Sequence, residues 1–300
     1  VPVRIFDARE AAAESSWAGA GMLAPGGEID ADSPLVAPAM RSMQLWPDFI
    51  GELQNESGIQ IDYRVCGGLE LAPDDEKASR QSALGIRSED ATHNGLPARF
   101  YPDDAQVNPR DVTRALVTAC RRRGVLFHEH EPVLAVSPDG EGVRTGQGEY
   151  RDTGVILTTG AWTSQLLPKT PRALPIRGHL ISWSLTPGLL GPILRLGHTY
   201  LLQRNSGVLV AGVSTELVGF ERAIDEAAAE TIRQNAVRLL PELSTLAPVE
   251  RWNGFRPGIE ANQPFIGKIE GTAAIASYGH YRNGILLAPD TALRVADLVG

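Results

Sequence analysis

Apolar residues run along this chain in short bursts whose spacing predicts a mixed α/β protein. Val3, Ile5 and Phe6 make a short apolar strand that ends in Asp7. A Ser/Ala/Gly-rich stretch over residues 15–27 follows, of the kind that lies close against a ligand or another backbone. Ala39, Met43, Trp46 and Ile50, three or four residues apart, predict a helix over residues 33–58, and residues 67–71 read as a strand. Asn108 as N-cap and Pro109 at the first helical position open the clearest helix. Val112, Leu116 and Ala119 form its apolar face, Arg121, Arg122 and Arg123 fill its last turn, and Gly124 ends it.

Residues 125–127 and 133–136 read as strands, followed by a turn at Asp139-Gly140, a polar hairpin and a buried strand over residues 155–160. That order suggests a parallel sheet with an antiparallel excursion. After Pro168 the texture becomes alternating and β-rich, over residues 176–183, 199–203 and 208–213, with a turn at Asn205-Ser-Gly207. A second, antiparallel layer is expected there. An amphipathic helix over residues 225–240 stops at Pro241, a short strand covers residues 274–276, and a final helix over residues 290–299 points its N-terminus at the loop Gly279-His-Tyr-Arg-Asn-Gly284.

With 300 residues, 43% apolar and 21% charged, the chain is globular, and its length favours two modest domains or one large one. The formal net charge of −8 argues against nucleic-acid binding while leaving room for a locally basic pocket. Cys66 and Cys120 support neither a disulfide framework nor a zinc site. No apolar run approaches the roughly 18 residues of a membrane span, and no signal-peptide pattern opens the chain, so a cytoplasmic location is expected. No GxSxG elbow offers a serine nucleophile.

A strand ending in an acidic residue, as at Asp7, suits a ribose diol. The runs Ser16-Trp-Ala-Gly-Ala-Gly-Met-Leu-Ala-Pro25, Gln106-Val-Asn-Pro109, Thr159-Gly-Ala-Trp162, Pro175-Ile-Arg-Gly178, Gly254-Phe-Arg-Pro-Gly258 and Gly279-His-Tyr-Arg-Asn-Gly-Ile-Leu-Leu-Ala-Pro289 make the picture specific. In order, they resemble the flavin-dependent D-amino-acid oxidase superfamily, and within it the glycine oxidases of thiamine biosynthesis. The resemblance implies an α/β (α+β) fold, with a Rossmann-like FAD-binding domain (residues 1–44, 103–170 and 252–300) interleaved with an antiparallel-sheet substrate domain (45–102 and 171–251). It implies non-covalent FAD, a small amino-acid substrate, dioxygen as acceptor and a homo-oligomer.

By the same resemblance, Asp7 holds the adenosine ribose, and Ser15 and Ser16 lie near the pyrophosphate. Gly19, Ala20, Gly21 and Met22 line the flavin, and Val133 offers its backbone to the adenine. Gly279, Asn283, Gly284 and Ile285 close over the pyrimidine end of the isoalloxazine. Arg256 grips the substrate carboxylate, with Tyr200 as phenol partner and Arg282 as a second arginine. His198, two residues before Tyr200, is expected on the same strand face, and Thr215 stands where the family often has a larger apolar residue. His280 is expected to pack rather than react. The implied reaction is oxidative deamination of glycine and small amino acids, by hydride transfer from Cα and peroxide release, feeding thiazole synthesis. A D-amino-acid or sarcosine dehydrogenase and a non-catalytic flavoprotein are the alternatives. No GxGxxG precedes Asp7, so the first βα unit of the dinucleotide fold is expected to be missing, with weak FAD binding and an exposed sheet edge as the consequences.

Overall fold

A computed structural model describes residues 2–261 and 263–300. Its largest element is an eight-stranded sheet in the order Glu250–Ile259, Ala173–Ser184, Val208–Gly212, Thr199–Gln203, Ile193–Leu196, Gly68–Leu71, Leu96–Tyr101 and Glu89–His93. Its pairings are antiparallel except that between Ile193–Leu196 and Gly68–Leu71. This is the antiparallel layer predicted after Pro168, lengthened at both ends of its first strand.

Register decides what each face of that sheet can do, because residues directly opposite one another share a face. Trp252 pairs with Leu180, Leu180 with Gly212, Gly212 with Tyr200, and Arg256 with Ile176. One face therefore carries Arg256 and Tyr200 within a single row system. The opposite face carries Ile181, Trp183, Leu201, Leu209 and Ala211, and packs under the helix Glu226–Leu239 through Ala229, Ile232, Ala236 and Leu239. Asp225 caps that helix, accepting from Ala227 N and Ala228 N at 3.0 Å each.

The rest of the molecule is built on three helices, Val36–Ser57, Pro109–Arg122 and Ala288–Val299, around Leu23, Trp46, Val107, Val112, Ala115 and Leu286. Short parallel pairs lie beside them: Arg4–Phe6 with Leu126–His128, and Ile156–Leu157 with Ile275–Tyr278. The excursion Val133–Val136, Gly142–Thr145, Glu149–Arg151 is antiparallel, as predicted.

Some expectations change. The strand expected over residues 155–160 contracts to Ile156–Leu157 and leaves Ile156 exposed. In Pro109–Arg122 the buried stripe is Val112, Ala115 and Ala119, and Leu116 turns outward one step around the helix. The proposed divisions at residues 44/45 and 251/252 fall inside the helix Val36–Ser57 and the strand Glu250–Ile259. Among the described residues no helix is long and apolar enough to cross a membrane.

Candidate active site

Arg256 and Tyr200 share the sheet face opposite the helix Glu226–Leu239, and each lies over a glycine of a neighbouring strand. A Cβ at Gly178 would fall 2.1 Å from Arg256 Nη1, and one at Gly212 would fall 2.3 Å from Tyr200 Oη. These glycines, present in the sequence as Pro175-Ile-Arg-Gly178 and Ala211-Gly212, make the room that the two polar side chains occupy.

Arg256 Nη1 donates to Ser214 O at 3.2 Å, and among the described residues no carboxylate pairs with it. Burial lowers its pKa from the ordinary arginine value, so its charge is held in a poorly solvated place. Tyr200 is buried, and burial pushes its phenol up to about 12, against the pull of the Arg256 and Arg282 charges. At neutral pH it is a protonated donor.

Ser214 is itself fixed from behind. Its hydroxyl accepts from His179 N at 2.9 Å and donates to Glu216 Oε1 at 2.5 Å. Glu216 also takes Arg177 Nε at 2.7 Å and His179 Nδ1 at 2.9 Å, while His179 Nε2 accepts from Asp225 N at 3.1 Å. The accepting Nε2 leaves the imidazole proton on Nδ1, facing Glu216. No sequence motif pointed to this group, although Arg177 lies in the run Pro175-Ile-Arg-Gly178 and His179 follows it directly.

Residues 279–285 form the turn ahead of the helix Ala288–Val299. Gly279 has φ +83, and a Cβ there would meet Ile259 at 2.9 Å, so glycine is required. Arg282 leaves this turn toward Glu28, with Nε to Oε2 at 3.0 Å and Nη2 to Oε1 at 3.1 Å. Glu28 was not among the predicted site residues. His280 packs as expected: Nε2 lies 3.2 Å from Thr291 Oγ1, and burial pushes the ring down to about 4. Asn283 Oδ1 is buried with no partner among the described residues.

The Ser/Ala/Gly stretch lies against the Tyr200 face, where Ala18 and Ala20 pack with Leu180, Tyr200 and Trp252. Three ties fasten it there. Ser15 Oγ donates to Phe255 O at 2.5 Å, Trp252 Nε1 donates to Ala18 O at 2.8 Å, and the buried Arg204 donates to Ala20 O and, at 2.9 Å, to Val107 O. Gly21 has φ +85, and Val107 O lies 1.9 Å from where its Cβ would be. Gly19 and Ser16 are exposed and Met22 is half-buried. Asp7 stands elsewhere, at the end of Arg4–Phe6, accepting from Arg9 N at 2.9 Å, with burial raising its pKa. Its carbonyl accepts from Glu131 N, two residues before Val133.

Two placements differ from expectation. His198 lies exposed in the turn between Ile193–Leu196 and Thr199–Gln203, so it does not share the strand of Tyr200, because the chain reverses there through Gly197 at φ +56. Thr215 is exposed beside Ser214, in the segment that follows Val208–Gly212.

The groups present suit a flavin nucleotide: a strand-end carboxylate at Asp7, a small-residue stretch along the sheet, and an amide oxygen at Asn283, buried and unpartnered among the described residues, able to accept a ring N–H. A family model described as DAO, FAD dependent oxidoreductase, matches residues 2–298. The chain belongs to that family. Members similar to it include the bifunctional ThiO/ThiG protein of Synechocystis sp., 32% identical over 97% of this chain and 46% of the relative. The glycine oxidase of Pseudomonas aeruginosa is 31% identical over 99% of this chain and 88% of the relative. The crystal structure of glycine oxidase from Geobacillus kaustophilus superposes with a TM-score of 0.93 at 28% identity, covering 99% of this chain and 88% of that one. The chain spans about half the length of the bifunctional relatives it matches. The FAD dependent oxidoreductase family thus accounts for nearly the whole chain, from the strand Arg4–Phe6 to the helix Ala288–Val299.

Proposed function

We propose that this chain carries the FAD and substrate sites of an oxidase that deaminates glycine and other small amino acids. One observation carries the reading: Arg256, half-buried on the sheet face, has a cationic head with no carboxylate partner among the described residues, set beside the protonated phenol of Tyr200. A planar guanidinium accepts a carboxylate through two parallel hydrogen bonds and thereby fixes the α-carbon of an amino acid. Tyr200 donates a further hydrogen bond to the same group.

In this proposal Asp7 and Val133 hold the adenosine end of FAD, and Ser15 and Ser16 lie by the pyrophosphate. Gly19, Ala20, Gly21 and Met22, with Gly279, Asn283, Gly284 and Ile285, enclose the isoalloxazine. FAD, when bound, supplies a two-electron acceptor for the Cα–H bond and passes the pair to dioxygen as hydrogen peroxide. The protein's own part is alignment, since removing hydride from a neutral amine needs no strong side-chain base. Thr215, exposed next to the Ser214 whose carbonyl accepts from Arg256, stands at the rim and shapes access for side chains larger than a methyl group. The likeness to ThiO/ThiG proteins supports a place for the imine product in thiazole formation.

The test is the visible spectrum of the flavin-loaded protein, mixed anaerobically with glycine, sarcosine or D-alanine and then exposed to air. Bleaching by glycine, recovery in air and one peroxide per turnover are expected. Bleaching without peroxide would make it a dehydrogenase, and no bleaching with any of the three would end the amino-acid reading.

A further inference from the structure

The second arginine of the site, Arg282, is already neutralised, and the carboxylate that does so is delivered by the turn Pro25–Glu28. Glu28 ends the short turn Pro25–Glu28, and its side chain is 8% exposed against 27% for Arg282. The turn is built to hold it. A Cβ at Gly26 would fall 2.2 Å from the Tyr101 ring, and one at Gly27 would fall 2.9 Å from Arg195 Nη1. The buried Gln81 donates to Gly26 O at 2.9 Å and Ile29 O at 2.6 Å, and Tyr101 Oη donates to Gln81 Oε1 at 2.8 Å. Asp104, buried and paired with Arg195 at 2.5 Å, accepts from Gly26 N at 3.3 Å.

Glu28 bears on the rest of the pocket as well as on its partner. Its charge acts on Tyr200 and on Arg256, as does that of Arg282, so the four groups share one electrostatic site. Counting these three groups, Arg256 and Arg282 bring two positive charges and Glu28 one negative, which leaves Arg256 without a carboxylate, while Arg204, which also acts on Tyr200, is turned to Ala20 O and Val107 O. Such a pocket suits one carboxylate. A second anionic group on the substrate would meet an arginine already occupied and the Glu28 oxygens that occupy it.

We propose that Glu28 is a specificity-determining residue: by holding Arg282 it restricts the pocket to amino acids with a single anionic group and excludes dicarboxylates. This inference rests on the carboxylate-binding reading of Arg256 given above. It assigns a role to the Pro25-Gly-Gly-Glu28 turn, which the sequence showed only as a small-residue stretch.

The test compares binding of acetate and malonate, neither of which can be oxidised as an amine, to the flavin-loaded protein through perturbation of its visible spectrum, at constant ionic strength. The wild type should prefer acetate. Glu28→Gln frees Arg282 and should shift the malonate-to-acetate affinity ratio upward by roughly tenfold or more. Glu28→Asp, which keeps the charge, should shift it far less. Arg282→Met leaves Glu28 bare and should move the ratio the other way. This variant decides between the outcomes if Glu28→Gln does not fold. An unchanged ratio in the folded variants overturns the inference while leaving Arg256 in its role. A wild type that binds neither acid overturns the carboxylate reading, and the inference with it.

Discussion

The guanidinium of Arg256 lies across Gly178 on the adjacent strand, so near that a Cβ there would sit 2.1 Å from Nη1. Gly178 pairs with Gly254 in the register between Ala173–Ser184 and Glu250–Ile259, and neither residue has a side chain to compete for the space. Gly178→Ala should displace the guanidinium without unfolding the sheet. The expected result is a KM for glycine raised by about tenfold or more, with a melting temperature close to wild type. Steady-state kinetics beside a thermal melt check it, and an unchanged KM would place the carboxylate elsewhere.

Arg256→Lys keeps a positive charge but loses the planar fork, whereas Arg256→Ala loses both. Both should raise KM with flavin still bound, the alanine variant by roughly a hundredfold in kcat/KM and the lysine variant by less. Tyr200→Phe should cost about tenfold to a hundredfold, the scale of one hydrogen bond to a charged group. Because burial holds the Tyr200 phenol up to about 12, the wild-type profile should show no loss from its ionisation below about pH 10. A basic limb near pH 9 that vanishes in Tyr200→Phe would contradict this.

Glu216 holds Arg177, His179 and the Ser214 hydroxyl behind the Arg256 site. Replacing it by alanine leaves Arg177, which is 4% exposed, with only the longer contact to Asp225 at 3.9 Å for its charge and should cost about 3 kcal/mol of stability. Ser214 O would then be less firmly placed for Arg256, so KM should rise in any fraction that folds. Denaturant unfolding and kinetics at low temperature measure the two effects separately.

His280 supplies an acid-side signature. Its ring is held down to about 4 from an ordinary 6.5, chiefly by burial and also by the Arg294 charge. Between those pH values the unfolded chain binds a proton that the folded chain refuses, so this site makes stability fall as pH drops through that window and adds no further slope below it. His280→Gln, which retains a partner for Thr291, should lose less stability than the wild type on going from pH 7 to pH 5. Equal losses in the two proteins would contradict the assignment.

Where local chemistry sets an element, the sequence shows it. Asn108 and Asp225 announce their helices by capping them, and Gly58 ends Val36–Ser57 in the left-handed conformation at φ 67. The helix Asp75–Ala83 and the hairpin Glu89–His93 to Leu96–Tyr101 went unread, since the outer strand carries Glu89, Asp90 and His93 and has no apolar alternation. The Asn94-Gly95 turn, with both residues at positive φ, was the available signal. In the site, Arg256 and Arg282 sit in legible motifs, and Tyr200 comes from the family resemblance alone. Glu28 meets Arg282 across 254 residues of sequence, a pairing that only the fold creates. His198 does not share the face of Tyr200, because a two-residue spacing implies a shared face only inside a strand and His198 stands just outside one.

The three ties from Ser15, Ala18 and Ala20 run to Phe255, Trp252 and Arg204, and the first two of these partners belong to the same strand as Arg256. The stretch proposed to line the isoalloxazine is thus anchored on the strand that carries the proposed carboxylate-binding arginine. If electrons leave the α-carbon across a gap that must be right to within a fraction of an ångström, that gap is written into the pairing of strands, and no closing motion is needed to set it.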